Sequence, residues 1–130
     1  MLNPTFLTIE EVLAFHSRQI SKHGGEPSIR DMNLLSSAVN MPRQMFSGTF
    51  VHDSIFHMAA AYLFHIVSNH PFVDGNKRTG ITAALTFLEL NEIECTAKPA
   101  ELYELVIRVA TSSTTKEEIA TFFENNHKRI

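Results

Sequence analysis

The sequence is short of several things, and each shortage removes a class of protein. It has one cysteine, Cys95. A lone thiol cannot form an internal disulfide, so nothing in the chain requires an oxidising compartment. Tryptophan is absent, and five glycines and five prolines in 130 residues are too few for a collagen-like or linker-like chain. Basic residues are not in excess: 11 Lys and Arg against 14 Asp and Glu leave a net charge of −3, which speaks against a dedicated nucleic-acid-binding module. Long apolar runs are missing too. The longest nearly uncharged stretch, Ser54 to Pro71, contains three histidines with Ser and Asn, and falls short of a membrane span. Residues Met1 to Thr8 have neither the basic stretch nor the apolar core of a secretion signal. A cytoplasmic protein with no nucleic-acid or membrane partner is expected.

What remains is ordinary globular composition, 44% hydrophobic and 19% charged. A chain of this length buries roughly two thirds of the surface it exposes when unfolded, enough for one domain over residues 1–130. The pattern predicts an all-α fold. Thr8 and Glu11 form a capping box before Ile9, Val12, Leu13, His16 and Ile20, and Gly24-Gly25 ends that run. Asp31 or Asn33 caps a second helix through Leu34, Leu35, Ala38 and Val39, which Pro42 disturbs at its far end. Met45 to His52 reads as a turn or small hairpin. Asp53 is placed to cap a third helix, Ile55 to Val67, and a fourth runs from Asn76 to Asn91. Both have almost no polar face, so both are expected at the centre. An extended piece at Glu94 to Thr96 follows, then a helix opened by Pro99. Thr114 with Glu117, or Thr115 with Glu118, caps the last helix.

Between the two central helices lies His70-Pro-Phe-Val-Asp-Gly-Asn-Lys-Arg-Thr-Gly80, unlike any other part of the chain. Pro71 bars the third helix from continuing, and Gly75 permits a turn that a side chain would obstruct. The amides of Gly75, Asn76, Lys77 and Arg78 open the fourth helix, where free N–H groups and the helix dipole attract an anion. Lys77 and Arg78 add positive charge there, Arg with a planar fork suited to phosphate. Asp74 is a poor neighbour for phosphate unless a cation such as Mg²⁺ bridges the two. His70 has the chemistry to accept a proton from a hydroxyl. Taken singly, these residues read more simply as turn chemistry, a structural histidine and solvated cations. Their conjunction decides against that: a connector needs a glycine and a cap, but has no use for His, Asp, Lys and Arg together.

The stretch resembles the core motif of the Fic/Doc family, H-x-F-x-D/E-G-N-x-R, with His70, Phe72, Asp74, Gly75, Asn76 and Arg78 in register. The segment Gly24 to Leu35, the Ala-rich helix before His70 and the stretch Thr79 to Asn91 are similar to the short Doc (death-on-curing) toxins. This resemblance implies a helical domain in which two central helices flank the motif loop, with a short flap at Met45–His52. It implies His70 as the base that deprotonates a Ser or Thr hydroxyl, and Asp74 as the Mg²⁺ ligand. Gly75, Asn76, Lys77 and Arg78 are implied as the ATP-binding set, and Phe72 as an inward-facing anchor. AMP-transferring members have a small Gly where this chain has Lys77, and a second Arg where it has Ile81. Doc-type members share Asn-Lys-Arg and phosphorylate their target, by family analogy a threonine of elongation factor Tu, blocking translation. Pro71 and Gly75 follow the general Fic form, which keeps nucleotidyl transfer as the second reading. The self-inhibitory pattern S/T-x-x-x-E-G/N is incomplete at both Thr114 to Ile119 and Thr121 to Asn125, which implies restraint by a separate Phd-like antitoxin.

Two other classes compete. A non-catalytic interaction domain keeps the fold and loses the reaction. A metal protein using His52, His57, His65 and His70 is weaker, because a five-residue spacing sets side chains about 140° apart on a helix. His57 and His65 read instead as residues of the third helix with locally satisfied edges.

Overall fold

The computed structural model describes residues 2–130. Six helices carry most of the chain: α1 (Ile9–His23), α2 (Met32–Asn40), α3 (Ile55–Asn69), α4 (Asn76–Leu90), α5 (Pro99–Ala110) and α6 (Lys116–Asn125). The helical expectation holds, but all-α is corrected to predominantly helical with minor strands. β1 (Met45–Phe46) and β2 (Thr49–Phe50) form the small hairpin, Met45 opposite Phe50. β3 (Ile93–Cys95) pairs antiparallel with β4 (His127–Arg129), Ile93 opposite Arg129. The expected extended piece at Glu94 to Thr96 thus begins one residue earlier. Its partner, His-Lys-Arg, has no apolar alternation by which to recognise a strand.

The caps settle the open alternatives. Thr8 and Glu11 form the expected box, Asp31 caps α2 through the Leu34 N–H at 3.0 Å, and Thr115 pairs with Glu118. For α3 the expectation is corrected: Ser54, not Asp53, accepts the His57 N–H at 3.0 Å. A hydroxyl one residue closer reaches the free amide in the extended conformation that an N-cap requires.

α3 and α4 form the centre, as their apolar patterns predict. From Met58 through Leu63, and again at Ile66, α3 is wholly buried. α4 contributes Ala83, Ala84, Phe87 and Leu88 to the same core. The two approach so closely that a Cβ on Gly80 would stand 2.8 Å from Val67 Cγ2. Val12 and Phe15 of α1 cover one side, and Ile119 and Phe123 of α6 another. Among the described residues, no helix is long and apolar enough to cross a membrane.

α6 is also pinned to α3 by polar contacts. Lys116 Nζ lies 3.1 Å from both His52 Nε2 and His65 Nε2, and His57 Nε2 is 2.9 Å from Glu117 Oε2. The expectation of local partners holds for one edge of His57, whose Nδ1 lies 2.6 Å from Ser54 Oγ, while its other edge and His65 Nε2 find their partners in α6. Burial, then the charges of Lys116 and His52, pushes His65 down to about 4, and burial foremost also lowers His52. Both imidazoles are neutral acceptors for the Lys116 ammonium. A folded-state value below the unfolded one gives stability that is present above about pH 6.5 and lost as the pH falls toward 4. The denaturation midpoint is expected to drop between pH 7.5 and pH 5. His65→Gln, which cannot take up that proton, is expected to flatten this dependence.

Candidate active site

The site begins where α3 must stop. Pro71 cannot extend the helix, and His70 ends it in the left-handed conformation, φ 51° and ψ 54°. For an L residue this costs roughly 1–2 kcal/mol. Neighbouring chain holds it there. Arg30 donates from Nε to the His70 carbonyl at 2.6 Å and from Nη2 to that of Asn69 at 2.9 Å. The Arg30 and Asp31 amides donate to the Pro71 carbonyl at 2.7 and 3.0 Å. The Val73 amide donates to Ser28 O at 3.1 Å, and Ile29 faces Phe72 in an isolated antiparallel bridge.

From inside, Phe72 anchors the loop with no exposed surface. Asn76 accepts the Phe72 N–H at Oδ1 and donates from Nδ2 to its carbonyl, both at 2.9 Å. The Phe72 ring stacks on His16, centroids 3.7 Å apart and planes 6° from parallel. His16 Nε2 donates to the Asp74 carbonyl at 2.8 Å. Gly75 follows with φ 86°, and a Cβ there would lie 3.3 Å from both His16 Cδ2 and Ile20 Cδ1. Both the backbone hand and the close approach of α1 call for glycine.

This leaves the opening of α4 unsatisfied. Gly75 has no side chain to cap it, and the first backbone bond runs from the Thr79 amide to the Gly75 carbonyl at 3.0 Å. The amides of Asn76, Lys77 and Arg78 therefore have no partner within the helix. A left-handed residue followed by helical ones turns successive N–H groups toward a common point, an anion-binding concavity.

Depressions lie on both sides. One, of about 320 Å³, is lined by Val67, His70, Val73, Asp74 and Ala110; the other, of about 230 Å³, by Gln19, Ile20, His23, Gly24 and Arg78. Gly75, Asn76 and Lys77 line both. Desolvation, then the charges of Arg78 and Lys22, holds the His23 imidazole below its ordinary range. Asp74 is exposed, and its Oδ2 accepts the Glu26 amide at 2.8 Å. That bond engages Oδ2 and leaves Oδ1 of the exposed carboxylate available, which fits Mg²⁺, an ion that takes one or two carboxylates and completes its shell with water and phosphate oxygens.

The residues singled out from the sequence thus gather at one junction: His70 and Asp74 on one side, Arg78 on the other, and Gly75, Asn76 and Lys77 on both. His52, His57 and His65 lie apart, engaged with α6. Among the described residues, no three His, Cys, Asp or Glu side chains converge as metal ligands. Two residues escape a reading of the sequence. His16 reads only as part of the inward face of α1, although a polar residue on such a face is itself a signal. Arg30 carries no signal, since nothing local shows which carbonyls it will meet.

A predominantly helical domain with this loop and helix opening is the arrangement of the Fic/DOC family, and the chain belongs to it: the family model matches residues 6–88. "Toxin Doc" of Mycolicibacterium smegmatis is 37% identical over 99 residues, covering 75% of this chain and 76% of that protein. "Protein kinase doc" of Escherichia phage P1 is 31% identical over 111 residues, covering 85% and 86%.

The left-handed His70 has a measurable consequence. His70→Gly relieves the backbone strain and is expected to be more stable than His70→Ala by about 1 kcal/mol in urea unfolding. Equal stabilities would mean that Arg30 holds no strained residue.

Proposed function

We propose that the protein is a Doc-like toxin that transfers the γ-phosphate of ATP to a Ser or Thr hydroxyl of a protein. By family analogy the target is elongation factor Tu, and the consequence is a block of translation. The observation that carries the kinase reading is the position of Lys77, which lines both depressions, where by family analogy nucleotidyl-transferring members keep a small Gly. Ile81, one turn on, faces the apolar groove between α4 and α5 and offers no charge to a second phosphate. The phage relative named as a protein kinase supports the same reading.

The roles follow from the resemblance, and the gathering of these residues at one junction supports them. His70 takes the proton of the incoming hydroxyl, the oxygen bonds to the γ-phosphorus, and the bond to the bridging oxygen breaks to release ADP. The Gly75 to Arg78 amides and the Lys77 and Arg78 side chains hold the phosphate oxygens in line. Asn76 contributes through its backbone amide, since its side chain is committed to Phe72. Asp74 is the residue that holds Mg²⁺, which when bound neutralises phosphate charge. The β1–β2 hairpin, with Phe46 77% exposed and Met45 and Val51 also open, suits alignment of an extended target chain by strand addition.

Nucleotidyl transfer is the second reading, favoured by Pro71 and by the left-handed Gly75 of the general Fic form. A Phd-like antitoxin is the proposed source of restraint. The α4–α5 groove of about 520 Å³, lined by Leu85, Leu102, Tyr103 and Val106 with Lys77 and Arg78 at one end, suits a helix with an apolar face and an acidic end.

Intact-mass analysis of candidate targets after incubation with Mg·ATP separates these readings. A phosphate-sized increment is expected; an AMP-sized one establishes the transferase, and no increment leaves an interaction domain. His70→Ala is expected to lower product formation at least 10²-fold with the fold intact. Lys77→Gly is expected to reduce phosphorylation, and an unchanged rate would remove the argument from Lys77.

A further inference from the structure

We infer that His16, far from the motif in sequence, is a positioning residue for phosphate binding: it holds the Asp74–Gly75 peptide so that the Gly75 N–H faces the His70 side of the loop. The inference rests on the phosphate-transfer reading above.

A trans peptide is planar, with its C=O and N–H pointing in opposite directions. The Asp74 carbonyl is bound by His16 Nε2 at 2.8 Å, on the side of α1. The Gly75 N–H therefore points away from α1. Glycine makes this orientation precarious by itself. Turning the Asp74–Gly75 peptide over would carry φ of Gly75 from its observed 86° to the mirror-related region, which glycine adopts about as readily. Such a flip would exchange a donor for a carbonyl oxygen at the place where an anion is to bind. Among the described residues no other hydrogen bond holds this carbonyl, whereas Pro71 and Phe72 are held by Arg30, Asp31 and Asn76.

His16 is built for that restraint. It is 3% exposed, so little water competes for the bond. Its ring lies flat on Phe72 at 3.7 Å, and its Cδ2 stands 3.3 Å from where a Gly75 Cβ would be. A carbonyl only accepts, so Nε2 carries the proton. The donor and the stack are separable by substitution. His16→Phe keeps a ring on Phe72 and removes the donor; His16→Gln returns an N–H at similar reach and loses the ring.

The probe is the non-hydrolysable ATP analogue AMP-PNP with Mg²⁺, titrated calorimetrically into wild type and both variants, with circular dichroism as the check on folding. The wild type is expected to bind, His16→Phe to bind at least tenfold more weakly, and His16→Gln to recover to within about threefold of wild type. Wild-type affinity in His16→Phe, or a loss in His16→Gln as deep as in His16→Phe, would overturn the role. No binding by the wild type would overturn the phosphate-transfer reading and this role together. A measurement without variants guards against misfolding: in wild-type ¹⁵N-labelled protein, the Gly75 amide resonance is expected to shift on adding the same probe. A Gly75 amide that stays still while those of Asn76 and Lys77 move would contradict the inference.

Discussion

The connector between α3 and α4 must reverse the chain between two buried helices, and buried backbone groups must find hydrogen-bond partners. Everything around the site follows from that constraint. The carbonyls of Asn69 and His70 go to the Arg30 side chain, that of Pro71 to two amides before α2, and that of Asp74 to His16. Phe72 gives both of its backbone groups to Asn76. Two distant parts of the chain are thereby tied to one short loop. α1 and the segment before α2 exist in this fold as much to satisfy the connector as to cover the core.

The same constraint makes the place chemically useful. Partners are supplied to the loop up to Asp74 and then stop. The amides that open α4 are left free, beside two cations and a helix dipole, which is a standing demand for an anion. Polar side chains are present in number, but His16, Arg30 and Asn76 are committed to backbone. That commitment leaves His70, Asp74, Lys77 and Arg78 facing outward. His70 reaches this position only through a strained backbone, the kind of cost that persists where surrounding structure over-determines it.

Much of this was legible in the sequence because the signals were local. Capping boxes, the Pro71 stop, the Gly75 turn and the two apolar helices each depend on residues within a turn of one another, and the structure bears them out. The motif residues were legible for the same reason. What escaped depends on distance along the chain. β4 is recognisable only beside β3, Lys116 only beside His52 and His65, and Arg30 and His16 only beside carbonyls some forty or more residues away. Asp53 and Ser54 were within local reach but differ by one residue, the scale on which helix boundaries commonly blur.

The central claim is that the opening of α4 is a phosphate site facing His70. A crystal structure with Mg²⁺ and AMP-PNP tests it most directly. The terminal phosphate is expected on the amides of Gly75 to Arg78, with its phosphorus open to attack from the His70 side and the metal between Asp74 and phosphate oxygens. An α-phosphate in that place would contradict the kinase assignment, and a nucleotide bound away from the α4 opening would contradict the site itself.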